Sequence, residues 1–162
     1  GQPPKLGLRT DLQKGYLLVQ EFLPNNDWDV RVTVIGNRAF AFRRFNRPDD
    51  FRASGSGLRD SDPAKINLDL VRLAFWVAQC LETQSIAVDG LQRDGQNVIT
   101  EISYYYEGWA LHEECPGHWE LDGDPDSGQL RFVEGRVRPE DAILDDFLAA
   151  IAAKSLSSRT TI

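Results

Sequence analysis

A chain of 162 residues, 41% hydrophobic and 27% charged, has the length and mixture of one globular domain with a single core. Its net charge of −7 excludes a broad nucleic-acid surface, which needs clustered Lys and Arg. No stretch approaches the roughly 20 apolar residues of a membrane span, and no apolar run of a signal peptide opens the chain, so the expectation is a cytoplasmic protein with neither nucleic acid nor membrane as partner.

Residues 1–15, with Pro3, Pro4 and Gly15, read as an irregular lead-in. The chain opens on Gly1 and contains no methionine, which points to a processed product or an excised fragment. Residues 16–23 read as a mostly buried strand stopped by Pro24-Asn25-Asn26. Residues 29–35 alternate, with Val30, Val32 and Val34 on one face and Asp29, Arg31 and Thr33 on the other. Gly36-Asn37 is a tight hairpin turn, and residues 38–45 return as the partner strand. Pairing across two turn residues sets Asp29 opposite Arg44 and leaves Asp29, Arg31 and Arg44 on one face. A polar, glycine-rich loop follows over residues 49–57.

Asp62 before Pro63 predicts a helix start, a side-chain cap followed by proline at the first helical position. Ile66, Leu70, Leu73, Ala74, Val77, Ala78 and Leu81 continue at helical spacing to about Glu82. Cys80 sits in that pattern and reads as a small buried residue. Residues 85–93 and 97–103 predict a second hairpin around Asp94-Gly95. A long loop is expected from Tyr104 to about Gln129, then a short strand to Val133 and a helix over residues 139–153. Residues 154–162 read as a frayed tail. The fold class is α+β: an antiparallel sheet of two hairpins with a long helix packed on it, in one unit spanning residues 16–153.

Asp89 and Glu101 are the most informative pair. A three-residue turn sets them directly opposite; a two-residue turn offsets them by one position, onto opposite faces. Like charges directly opposite repel, and both acids lie among apolar neighbours, so they call for a cation or a shared proton. Ser103 lies two residues beyond Glu101 on the same face and offers a third oxygen. A small all-oxygen set suits Mg²⁺, with Mn²⁺ as an alternative. The competing reading is a hairpin face in water. Removing the repulsion in Asp89→Asn is expected to stabilise the metal-free fold. Arg31, Arg43, Arg44 and Arg52 near the Ser54-Gly55-Ser56-Gly57 loop suit phosphate oxygens, against a solvated strand face whose Asp29–Arg44 ion pair contributes little. His112, Cys115 and His118 fit no zinc spacing, although a histidine near Cys115 can activate a thiol.

The order of these pieces resembles the C-terminal part of ATP-grasp enzymes, in the pattern of ribosomal-protein glutamate ligases and related carboxylate–amine ligases. Gln20-Glu21-Phe22-Leu23 resembles the hinge strand, Asp29-Val30-Arg31 the Asp-Ile-Arg segment, and Phe51-Arg52-Ala53-Ser54 the arginine loop. Ala87-Val88-Asp89-Gly90-Leu91 and Thr100-Glu101-Ile102-Ser103 resemble the two metal-ligand strands. The resemblance implies ATP and Mg²⁺ as cofactors. Gln20, Glu21, Phe22 and Leu23 then meet adenine, Asp29 lies near the nucleotide and Arg52 contacts phosphate. Arg31 or Arg44 serves the acyl-phosphate, and Asp89, Glu101 and Ser103 hold the metal. Ser103 stands where the family usually has Asn, a departure that leaves one metal site loose. The implied reaction joins a small-molecule carboxylate to an amine or thiol. The alternatives are a kinase-like phosphotransferase and a degenerate non-catalytic nucleotide-binding or interaction module. With only four lysines and no recognisable phosphate lid, the chain is expected to be inactive without an upstream ATP-grasp subdomain of the same protein. A homodimer is compatible with the sequence.

Overall fold

The computed structural model describes Leu17 and residues 19–157, with side chains to residue 155. The expected lead-in over residues 1–15 and the tail beyond residue 157 lie outside the described residues. Among the described residues, seven strands form one antiparallel sheet, ordered β5-β4-β1-β2-β6-β7, with the short β3 also paired to β2. The strands are β1 (Trp28–Ile35), β2 (Arg38–Phe45), β3 (Arg59–Asp60), β4 (Ser85–Arg93), β5 (Gln96–Ser103), β6 (Gly117–Asp122) and β7 (Gln129–Glu134). Three helices complete the α+β fold: α1 (Leu68–Cys80), α2 (Gly108–Glu114) and α3 (Pro139–Ser157). No described helix is long and apolar enough to cross a membrane.

The alternation of β1 sets the architecture. Val30, Val32 and Val34 face α1 and form the larger core with Leu70, Val71, Ala74, Ile86 and Val88. Ile35, Phe40 and Phe42, on the opposite face, meet Ala110 and Leu111 of α2 and Ala142 of α3 in a second core. A sheet buried on both faces needs apolar residues at both parities, and the β1–β2 hairpin supplies them. The remainder of the α2–α3 face carries charge. Arg38 of β2 donates to Asp146 at 2.6 Å and pins α3 by its first half.

Several expectations change. Leu17 and residues 19–24 form no strand, and Leu17, Val19 and Phe22 are exposed. The segment hangs on side-chain bonds instead: Asn26 Nδ2 donates to the Gln92 carbonyl at 3.0 Å, and the Gln92 N–H donates back to Asn26 Oδ1 at 2.9 Å. Asp62 does cap a turn that starts at Pro63, but that turn is a 3-10 helix ending at Lys65. The long helix begins five residues later, where Asn67 accepts the N–H groups of Asp69 and Leu70 at 2.9 and 3.4 Å. Cys80, at its last position, is exposed rather than buried. The stretch from Tyr104 to Gln129 contains α2 and β6, and the last helix runs to Ser157, four residues into the expected tail.

The two caps can be separated by mutation. Asn67→Ala should lower stability by about 1 kcal/mol, the usual cost of an N-cap, and Asp62→Ala by clearly less, in urea denaturation. The reverse order would mean that the 3-10 turn, not Asn67, anchors α1.

Candidate functional site

Two register rows cross the charged face. In the first, Glu101 pairs with Asp89, Asp89 with Arg31, and Arg31 with Phe42. In the second, Asp29 pairs with Arg44 and Arg44 with Arg59. Antiparallel partners share a face, so β1, β2, β3, β4 and β5 together aim three carboxylates and three guanidinium groups at one side of the sheet.

The position of Glu101 depends on a bulge. The β4–β5 turn holds two residues, since Arg93 pairs with Gln96 across Asp94-Gly95. That register alone would send Glu101 to the α1 face. Ile99, however, pairs with Gly90 while Glu101 pairs with Asp89, so Thr100 is an extra residue on β5. Its hydroxyl donates to the Asp89 carbonyl at 3.2 Å, and its own carbonyl accepts from Gln20 Nε2 at 3.2 Å. The bulge thus restores the direct opposition of Asp89 and Glu101 that a three-residue turn would have produced. Bulges of this kind re-aim side chains.

Asp89 is 3% exposed. Arg31 grips both of its oxygens, from Nε and Nη2, each at 2.7 Å. Arg44 adds a third bond from Nη2 at 2.7 Å and holds Asp29 through Nε at 2.8 Å and Nη2 at 2.5 Å. Burial works against the Arg44 charge, but its bonds to Asp29 and the nearby Asp89 outweigh that and push its pKa up. Arg59 donates to Glu107 at 2.7 Å and to Glu114 at 3.0 Å, tying the second row to α2. Glu101 is exposed, and among the described residues it has no hydrogen-bonded or ionic partner.

The other residues singled out from sequence fall into two groups. The hinge segment and the arginine loop do come together: Phe22 meets Phe51 edge-on at 5.3 Å between ring centroids. Glu21 pairs with Arg93, and Leu23 is half-buried. Arg52 stays within its loop, donating to Asp50 at 2.6 Å and holding that carboxyl at about 2. Ser103 faces Ala87 across the strands, and its hydroxyl accepts the Tyr105 N–H at 3.1 Å, closing a turn. Cys115 is buried, burial pushes its thiol up to about 12, and Sγ donates to the Ala41 carbonyl at 3.8 Å, all of which disfavour a thiolate. His118 is buried against Phe40, and burial pushes its pKa down. The described residues hold no cluster of three or more His, Cys, Asp and Glu suited to a metal.

The sequence reading missed Arg59, the bulge and the double grip of Arg31 on Asp89. A two-residue strand leaves no periodic signal for Arg59. The bulge did leave one: Ile99 and Ile102 have opposite parity, and only an extra residue between them puts both on the α1 face.

The chemistry of the paired carboxylates suits a hard divalent cation, which takes few protein oxygens, and Glu101 is exposed. Asp89 fits the same ion only after a guanidinium leaves it. A cavity of about 350 Å³ lined by Trp28, Asn67, Leu70, Gly90 and Asn97 opens on the α1 side and does not include this pair.

An antiparallel sheet bearing opposed carboxylates beside two rows of arginine is the kind of face that meets polyphosphate and metal together. The family model of the RimK-like ATP-grasp domain matches residues 7–105, and the chain belongs to that family. It is a family of ATP-binding ligases that generally use ATP and Mg²⁺ on carboxylate and amine substrates. No curated protein and no solved structure matches the chain.

The geometry reverses the expected sign of Asp89→Asn. The wild-type carboxylate accepts three guanidinium bonds, so neutralising it leaves Arg31 and Arg44 short of their counterion. Loss of one partner from a buried ion pair costs roughly 3–5 kcal/mol. Asn keeps one acceptor, so a loss of about 3 kcal/mol is expected in metal-free urea unfolding, and a gain in stability would mean that repulsion from Glu101 dominates.

Proposed function

We propose that this chain supplies the metal- and phosphate-binding half of an ATP-dependent ligase that joins a carboxylate to an amine through an acyl-phosphate. The observation that carries this reading is the bulge at Thr100, which turns Glu101 onto the face of Asp89 and the arginines. A fold with no use for that pair would gain by leaving Glu101 elsewhere, since opposed acids are unfavourable.

Bound Mg-ATP supplies the phosphoryl group and neutralises its charge. Asp89 and Glu101 would hold the metal, and Ser103 would add a hydroxyl where its turn allows. Arg31 and Arg44 lie in adjacent rows and stabilise the oxygens of the transferring phosphoryl group, the role for which a preset guanidinium fork is suited. Asp29 keeps Arg44 in place. The backbone of residues 20–23 meets adenine, and Arg52 reaches a phosphate by exchanging Asp50 for it. The substrate carboxylate takes the γ-phosphoryl group with release of ADP, the amine attacks the acyl-phosphate carbon, its proton passes to solvent, and phosphate departs; no side-chain nucleophile takes part. The second reading, a non-catalytic module, draws on the saturation of Asp89 by arginine and on the few lysines. It requires no metal at Glu101.

Glu101→Gln separates the two, because the exposed side chain can change without disturbing the fold. Thermal unfolding with a non-hydrolysable ATP analogue and Mg²⁺, on the longest stable form of the protein, should show a stabilisation of about 2.7 kcal/mol at a hundredfold excess over Kd. The shift should require both ligands and vanish in Glu101→Gln. An equal shift in the variant would exclude Glu101 as a metal ligand, and no shift in either protein would favour the module.

Arg31 competes with the cation for Asp89 in this reading. Arg31→Lys keeps the charge and loses the two-toothed grip. It should bind Mn²⁺ at least about threefold more tightly than wild type by electron paramagnetic resonance titration. Unchanged or weaker binding would show that Arg31 does not guard Asp89.

A further inference from the structure

α3 is 19 residues long, or about 28 Å, and among the described residues its buried and half-buried side chains all lie in the first half. Ala142 is buried in the second core, Ile143 and Asp146 are half-buried, and Gln84 donates to the Ile143 carbonyl at 3.2 Å. From Phe147 to Ser155 every residue is exposed. That half reads Phe-Leu-Ala-Ala-Ile-Ala-Ala before its first charge at Lys154. Leu144, Phe147, Leu148 and Ile151 lie 53%, 58%, 53% and 48% exposed at the spacing of one helical stripe. Apolar helix surface of this extent calls for a partner. α3 also lies beyond the residues that the family model matches.

The stripe is complementary to itself. In an antiparallel pair of α3 helices centred between Phe147 and Leu148, Leu144 of one copy faces Ile151 of the other, and Phe147 faces Leu148. The same register sets Asp141 against Lys154 of the second copy. Charge selects this direction: the acids Glu140, Asp141, Asp145 and Asp146 crowd the first half, and Lys154 lies near the far end. A parallel pair would stack acid on acid, whereas the antiparallel pair also opposes the helix dipoles favourably. The contact is isologous, as a twofold dimer requires.

We propose that the second half of α3 is the interface of a homodimer, formed by antiparallel pairing of the Leu144–Phe147–Leu148–Ile151 stripe with that of a second copy. Two such stripes bury roughly 800–1,000 Å² in all, at the low end of specific interfaces. An interface of that size suits a weak, reversible dimer.

Sedimentation velocity of the full chain, from about 1 to about 200 µM, tests the assembly. A monomer–dimer equilibrium in that range is expected, weakened at least about tenfold in Leu148→Glu, whose exposed site leaves the fold intact. In a Cys80→Ser background, Leu148→Cys should form a covalent dimer with a short bismaleimide, and Ala150→Cys, on the opposite side of the helix, should not. Cys115 is buried and stays silent. A monomer at every concentration would overturn the proposal and assign the stripe to another part of a longer protein. A dimer indifferent to Leu148→Glu would overturn it as well, placing the interface elsewhere.

Discussion

One buried carboxylate organises the charged face. Asp89 lies in the middle of β4, almost without solvent, and meets guanidinium groups from two other strands. The desolvation of such a charge costs several kcal/mol and is offset only by close, well-aligned bonds. Three bonds of 2.7 Å provide them. The net contribution of the cluster to stability is small, because apolar residues of the same volume would do as well. Its structural consequence is large, however: Arg31, Arg44 and Asp29 have fixed positions only because Asp89 and its partners fix one another.

That constraint explains how the two faces differ. The α1 face is closed by aliphatic packing that includes Val32, Val34, Val71 and Val88, all fully buried. The other face is closed by α2 and α3 only over Ile35, Phe40 and Phe42. The remaining area carries the carboxylates and guanidinium groups, with Asp89 and Arg44 buried and Glu101 exposed. The bulge at Thr100 belongs to the same design. Without it Glu101 would point toward α1 and away from Asp89; one inserted residue completes the acid pair.

The legible part of the sequence was the part governed by strict alternation and tight turns. The β1–β2 hairpin follows directly from Gly36-Asn37 and period two, down to the Asp29–Arg44 pairing. The opposition of Asp89 and Glu101 was legible as an alternative only, because its cause is a bulge and not the length of the turn. Residues 16–23 have the apolar content of a strand, but Leu17 and residues 19–23 form none, so propensity alone did not make one. Asp62-Pro63 has the chemistry of a helix cap, and the 3-10 turn obeys it. The true start at Asn67 was hidden because Leu68 and Leu70 continue the apolar pattern without a break. Seven-residue α2 is too short to show a period, and its content of Glu and His reads as a loop. The double grip of Arg31 on Asp89 links strands 58 residues apart, a distance that local patterns do not span.

The C-terminal third does more than extend the fold. α2, β6, β7 and α3 follow the segment matched by the ATP-grasp family model, yet α2 and α3 bury Phe40 and Phe42 on the face that carries the register rows. Arg59 links them to the second row, pairing in register with Arg44 on one side and bonding Glu107 and Glu114 on the other. Its guanidinium also lies 5.0 Å from the ring of Trp109 and 5.4 Å from that of Phe42. A shift of α2 must therefore move Arg59, and through β3 it presses on the strand that carries Arg44. The charged face is held from behind by residues of its own hairpins and from the side by this added layer. The rigidity of the arginine rows, on which any phosphate chemistry there depends, is consequently a property of the whole chain and not of the family-matched segment alone.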